Sequence, residues 1–443
     1  MEATDQKLSK EQKQAVALLS IGSVLEYFDL MLYVHMAVVL NDIFFPESGY
    51  FSKAQIAAFS FWSTHALRPA GAMFFGRIGD LVGRKAAVIL SATVMSVCCL
   101  TLAALPTYQQ IGIIAPIVLT LCRMVQGVSA SAEITGAQIY LAESVKPPMQ
   151  YPLVSLIALF TTVGTTMAIG VGSIFSNPKL FPAAWANDAW RFAFVIGAAI
   201  GIVGAVARNS LKEASEFADR QRYFKEQYKR VGVDFRHDQI KVPLSTSAAY
   251  FFLYAAHPTL FYLTYIYFGS ILKEAFKFSN LMVMQNNFWL GVTSFVTTVL
   301  WSCLSYKINP LRIVKTRAIA CACIIFSAPL ILTQYCSPKM VLTFQCLLTA
   351  FCFGTTPATA IFFKHFPTVK RFRYAGTISA LAKSGGYFVG PSLIAFATDK
   401  LSYQGIWAVF VPVTMLYFIG LRFFEKKEQL SLSNSLQEET SLK

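Results

Sequence analysis

The sequence predicts an all-α membrane protein: twelve transmembrane helices in two pseudo-symmetric six-helix bundles. Three observations carry that expectation. Of the 443 residues, 55% are hydrophobic and 14% charged, with a mean hydropathy of +0.51, whereas a soluble domain carries about 25% charged residues. A water-soluble fold of this length has too few polar side chains to cover its surface. Runs of about 20 mostly apolar residues, the length a helix needs to cross the hydrocarbon, recur twelve times. One long polar interruption, residues 210–242, follows the sixth run and divides the chain in two.

In chain order, residues 1–14 (MEATDQKLSKEQKQ) form a polar N-terminal segment. The run behind it, 15–40, is too long and too polar inside to be the apolar core of a signal peptide, so it reads as an uncleaved first helix. Spans at 54–76, 86–105, 110–133, 150–175 and 190–208 complete a first bundle over 15–209. The interruption mixes charges of both signs at helical spacing, so it is a solvated linker or an amphipathic surface helix. Spans at 243–270, 282–305, 314–333, 341–362, 376–397 and 404–424 make the second bundle, 243–424. The tail, 425–443, lacks the heptads of a coiled coil.

A formal net charge of +15 invites a nucleic-acid reading, but its placement argues against one. If the N-terminus is cytoplasmic, the loops on that side collect Lys7, Lys10, Lys13, Arg77, Arg84, Lys85, Lys146, the cluster 208–241 and the basic residues of 307–317 and 364–373. The opposite loops hold far fewer. Basic loops stay on the cytoplasmic side of a membrane, so both termini are expected there.

ATP hydrolysis needs a phosphate-cradling loop containing Gly-Lys, and that dipeptide never occurs. The nine cysteines fall almost entirely within the spans, without the paired Cys/His spacing of a zinc site, and read as small apolar fillers. No nucleophile and base pair up in the spans. The expectation is therefore no catalytic residues, no metal, no ATP and no nucleic-acid partner.

Between the second and third spans lies GRIGDLVGRK, in which Gly76 and Gly83 let helix ends approach and Asp80, Arg84 and Lys85 supply charge. This loop resembles the cytoplasmic signature of the major facilitator superfamily. Longer matches resemble its metabolite:proton symporters, the carriers of proline/betaine, shikimate, citrate and 2-oxoglutarate. They are GSVLEYFDLMLY in the first span, LRPAGAMFFGRIGDLVGRK, CRMVQGVSASAE in the fourth span, and FPTVKRFRYAG before the eleventh. There are departures too. Ser131 and Ala132 stand where the family has two glycines, and LSYKINPLR (304–312) lacks the charges of a second-half signature loop.

A charge at the bilayer centre costs about 2.5 to 3.5 kcal/mol on insertion scales, so such residues normally pair and face a cavity. Glu26 and Asp29 lie three residues apart, hence on one side of the first helix, with Tyr33 continuing that face. Arg123 is the cationic candidate partner; Gln126 follows on the same side of the fourth helix, and Glu133 two turns further. Two readings stand. Glu26, Asp29 and Arg123 form a proton-coupling site, or they make a permanent bridge between helices.

Tyr33, Gln126, Glu133 and Lys383 are the candidates for lining a solute cavity, although Lys383 can equally snorkel to the interface. Arg68, which opens the R-P-x-G run, either sits deep in the second helix or snorkels or pairs with a helix. His65 and His257 read as packing residues, and Tyr254, Tyr262, Tyr265 and Tyr267 mostly as lipid-facing aromatics.

The resemblance implies a secondary active transporter, not an enzyme, that carries a small polar metabolite with protons by alternating access. The solute is then a zwitterionic osmolyte such as proline or betaine, or an organic acid. No cofactor is expected beyond the proton gradient, and the protein is expected to act as a monomer in a bacterial-type inner membrane. In this reading Gly76, Asp80, Gly83, Arg84 and Lys85 form a cytoplasmic gate. The alternative is a membrane receptor or sensor that keeps the fold without transporting.

Overall fold

The computed structural model describes residues 8–45, 64–175, 181–182, 188–214, 216–219, 221–223, 242–335 and 337–441. Among these residues all regular secondary structure is helical, and no strand forms. Contacts divide it into two compact units. The first is Met1–Ile240 with Phe366–Ala380, and the second is Lys241–His365 with Leu381–Lys443.

The first unit is built on α1 (Lys10–Phe44), α2 (Arg68–Leu81), α3 (Arg84–Ala104), α4 (Ile114–Ser144), α5 (Gln150–Phe175) and α6 (Ala189–Ala207). α1 starts earlier than its apolar run because Ser9 and Gln12 cap each other's backbone amides at 3.0 and 3.1 Å. One apolar face of α1 then fills the core: Phe28, Leu32, Tyr33, Met36, Leu40 and Phe44 pack on Leu102 of α3, Leu119 of α4, Ala168 of α5 and Phe194 of α6. The predicted second span begins at 54, and residues 54–63 lie outside the described residues.

The second unit holds α7 (Leu244–Phe261), α8 (Asn280–Leu304), α9 (Pro310–Tyr335) and α10 (Pro338–Ala350). It also takes most of α11 (Arg371–Leu401) and all of α12 (Gly405–Ser441), which runs well past the predicted end at 424. Pro258 sits inside α7, and the helix continues through a π-helical segment, Tyr262–Tyr267, into Phe268–Glu274. A proline that removes an intrahelical donor makes such a local change of register understandable.

The predicted tenth span, 341–362, is corrected. α10 ends at Ala350, the chain is non-helical through 358, and a short helix, Thr359–Lys364, resumes. The break coincides with Gly354 and Pro357, the residues least suited to a helix interior. Its carbonyls are not left bare: Arg317 donates to Thr356 O at 2.6 Å, Tyr417 to Gly354 O at 2.8 Å and Trp301 to Ala350 O at 3.0 Å.

Eight helical stretches among the described residues are long and apolar enough to cross a membrane, the last of them running through both α11 and α12. Large apolar side chains such as Phe74, Leu300, Phe396 and Ile419 stand exposed on the outer helix faces, as lipid contact requires.

Within each unit the basic loops gather at one end. In the first, Lys212 reaches Glu11 and Gln12 reaches Ser144 O, so the start of α1, the end of α4 and the segment after α6 are neighbours. In the second, Lys315 pairs with Glu425 and Lys364 with Glu428, both at 3.0 Å.

Candidate functional site

Asp29 lies on α1 in the interior of the first unit, buried with Arg123 and Gln126 of α4. Arg123 Nη1 is 3.1 Å from Asp29 Oδ2, and Gln126 Nε2 donates to Oδ1 at 2.7 Å. Arg123 also donates to Gln126 Oε1 at 2.9 Å, which fixes the amide so that its NH2 faces the carboxylate. Cys99 of α3 adds a thiol donor to Oδ1 at 3.2 Å. The Arg123 guanidinium lies over the Tyr33 ring, 4.3 Å from its centroid, so a cation–π contact replaces water on that face. Arg123 Nε has no hydrogen-bond partner among the described residues.

Glu26 has a cation of its own. Its carboxylate lies 3.6 Å from Arg68 Nη2 on α2, so the two first-helix acids take different partners and Arg123 serves Asp29. Arg68, read from sequence as snorkelling or pairing, pairs.

Glu133, seven residues beyond Gln126 on α4, pairs with Arg208 at 3.2 Å and accepts from Ser91 Oγ at 2.9 Å, so its carboxylate is taken up by an ion pair. Arg208 is fully buried and also donates to the carbonyls of Leu18 and Val88. A Cβ at Gly22 would fall 1.7 Å from Arg208 Nη2, so the pair fits only because α1 has no side chain there. This buried ion pair ties α4 to α1, α3 and the end of α6.

At the end of the first unit where the basic loops meet, the GRIGDLVGRK residues build a second cluster. Arg84 is fully buried and grips Glu143 with two parallel bonds of 2.8 and 2.9 Å. Its other donors go to Asp80 Oδ1, Gly79 O and Thr368 O. Asp80 accepts the backbone amides of Phe372 and Arg373, in the first turn of α11, at 3.1 and 2.9 Å. Arg371 bonds Glu143 at 2.9 Å and Glu216 at 3.1 Å.

The two glycines named from sequence have distinct uses here. A Cβ on Gly76 would sit 2.5 Å from Arg373 Cα, and Gly83 has φ +138°, in the region L side chains avoid. Glu213 accepts the Arg84 amide at 2.8 Å, placing a carboxylate on the N-terminus of α3. Lys85 points elsewhere, donating to Asn209 O at 2.7 Å.

Sequence reasoning missed Glu143, Glu213, Glu216, Arg371 and Arg208 as site residues. The stretch 210–223 is therefore more than a solvated linker: Ala214 and Phe217 are buried, and Arg84 lies 4.3 Å from the Phe217 ring centroid. The spacing of Glu213, Glu216 and Phe217 was the available signal. Residues 224–241 lie outside the described residues.

In the second unit Lys383 of α11 is half-buried, with its ammonium 5.3 Å from the Tyr254 ring centroid. Tyr254 stacks obliquely on Tyr250 at 4.6 Å, so it belongs to the interior rather than to the outer, lipid-facing surface. No three His, Cys, Asp or Glu side chains converge as a metal site among the described residues.

A sequence profile of the Major Facilitator Superfamily matches residues 19–385. The chain is 31% identical over 205 residues to a proline/betaine transporter of Escherichia coli (strain K12), a match covering 46% of this chain and 41% of that one. It is 31% identical over 209 residues to a citrate-proton symporter of Klebsiella pneumoniae, covering 47% of each. The matches thus span less than half the length of these curated relatives. Among solved structures, a proton:xylose symporter bound to 6-bromo-6-deoxy-D-glucose superposes with a TM-score of 0.74 at 14% identity, over 94% of this chain and 95% of that one. At that identity the likeness concerns the fold.

Proposed function

The chain belongs to the Major Facilitator Superfamily, and from that premise we propose that it is a proton-coupled secondary transporter of a small polar organic solute. The observation that carries the proposal is the buried Asp29, held by Arg123, Gln126 and Cys99 inside the first unit. A buried ion pair is costly to assemble and weak evidence of stability alone. Inside a membrane protein it marks a pathway by default.

The charges supply a coupling rule. With Asp29 ionised, the Asp29–Arg123 pair is neutral. When Asp29 takes a proton, Arg123 is left as an uncompensated cation with its Nε already without a hydrogen-bond partner among the described residues. A solute carboxylate restores neutrality, so proton and carboxylate-bearing solute load together. Proline, betaine and organic acids all carry that group, as the named substrates of the relatives suggest. Tyr33 and Gln126 hold Arg123 in position; Lys383 is a cavity candidate of the second unit.

At the other cluster, Asp80, Arg84, Glu143, Glu216 and Arg371 hold the start of α11 and act as the gate, with Gly76 and Gly83 permitting the approach and Lys85 on its rim. The reading places both termini in the cytoplasm and the chain in a bacterial-type inner membrane. It acts as a monomer driven by the proton gradient alone, without ATP.

The test is uptake by the purified chain in sealed phosphatidylethanolamine/phosphatidylglycerol vesicles, using labelled proline, glycine betaine, citrate, 2-oxoglutarate and shikimate. One of these should accumulate under an inward proton gradient and leak out when an ionophore collapses it. Accumulation indifferent to the gradient would sink the proposal.

A further inference from the structure

The coupling rule above uses Arg123 and Gln126 but leaves the third partner of Asp29 unexplained. Cys99 Sγ lies 3.2 Å from Asp29 Oδ1 and 3.7 Å from Gln126 Nε2, within sulfur hydrogen-bond range of both. Its neighbours Cys98 and Cys122 engage each other instead. A small apolar side chain would fill the same space on α3, so the thiol's contribution is its S–H.

The other groups facing Asp29 are few. α1 itself brings Tyr33, and Glu26 paired with Arg68; α3 brings the two cysteines, and α4 brings Arg123 and Cys122. Along α5 there is no Asp, Glu, Lys, Arg or His, and α6 carries only Arg191 near its start, paired with Asp188. In so sparse a setting one neutral donor is a sizeable part of what holds the ionised carboxylate.

We propose that Cys99 is a positioning residue for the proton site: its thiol donates to ionised Asp29, holds the carboxylate in the Arg123 and Gln126 cradle, and so sets the pH at which Asp29 is loaded. The proposal rests on Asp29 as the proton site, and its test reads proton binding directly rather than transport.

The full chain in phosphatidylethanolamine/phosphatidylglycerol vesicles is titrated by difference infrared spectroscopy. The protonated-carboxyl band that disappears in Asp29→Asn reports Asp29. In Cys99→Ala the midpoint of that band should rise by about half to one pH unit, the size of a lost neutral hydrogen bond. Cys99→Ser, which restores a donor, should return it to or below the wild-type value.

A wild-type midpoint in Cys99→Ala, or equal midpoints in the alanine and serine variants, overturns the inference. So does a Cys99→Ser midpoint half a unit above wild type, which keeps the test decisive if the alanine variant does not fold. If Cys99→Ala moves the band while Asp29→Asn still accumulates solute with protons, the coupling role of Asp29 fails and the positioning role of Cys99 stands.

Discussion

Asp80 and Arg373 are 293 residues apart in the chain, yet Asp80 Oδ2 accepts the Arg373 amide hydrogen at 2.9 Å. With Oδ1 on the Phe372 amide, the carboxylate caps the first turn of α11, where free N–H groups and the helix dipole favour negative charge. The last turn of α2 thereby holds a segment that sequence order assigns to the far half of the protein.

Proton uptake by Asp80 makes stability pH-dependent, with a sign that can be worked out. Burial lifts the Asp80 carboxyl from 3.8 to about 6, against the opposing effects of Arg84 and the two α11 amides. The folded protein therefore binds this proton more tightly than the unfolded chain. Its contribution is full below pH ~4 and is lost as pH rises through about 6. Relative to Asp80→Asn, wild type should lose up to about 3 kcal/mol of stability between those pH values, measured by thermal unfolding in detergent. Parallel curves would contradict the assignment. In transport assays Asp80→Asn should slow cycling more than it weakens solute binding.

Asp29→Asn is expected to uncouple. The amide cannot take up the proton, so uphill uptake driven by a pH gradient should collapse while solute exchange at equal pH partly survives. Full pH-driven accumulation in the variant would remove Asp29 from the coupling role.

The all-helical membrane fold and the burial of Asp29 beside Arg123 were legible because both follow from one local rule, that charge and polar surface are expensive in hydrocarbon. Choice of partner was not legible in the same way. Glu26 and Asp29 share a face of α1, yet Arg68 takes one and Arg123 the other, a division set by where α2 and α4 approach. Arg208 sits at the end of the sixth span and looks like the first basic residue of a loop, but the absent side chain at Gly22 lets it turn inward to Glu133. The break after α10 hid within an apolar run, since hydropathy counts Phe351 to Phe363 as membrane whether or not they are helical. Gly354 and Pro357 were the overlooked signal.

Arg208 provides a contrast to Asp29. Arg208→Met leaves Glu133 buried without its cation, which typically costs about 3 to 5 kcal/mol. The expected result is a large drop in thermal stability and yield, with the pH dependence of uptake unchanged in whatever protein folds. A shifted pH profile at normal stability would instead give Glu133 a part in proton handling.

Lys383 offers a test of what kind of solute fits. Its ammonium lies over Tyr254, whose ring stacks on the buried Tyr250, so the side chain is directed toward the interior of the second unit. A cation held there favours a solute of net negative charge over a zwitterion. Lys383→Gln should therefore weaken binding of an organic acid such as citrate roughly ten- to a hundredfold, the loss of one charge-assisted bond of about 1.5 to 3 kcal/mol. Binding of proline or betaine, which carry no net negative charge, should change little. Affinities from substrate-induced tryptophan fluorescence in detergent, compared between citrate and betaine, make the check. Equal affinity for citrate in wild type and variant would return Lys383 to an interfacial role and point the transporter toward zwitterions.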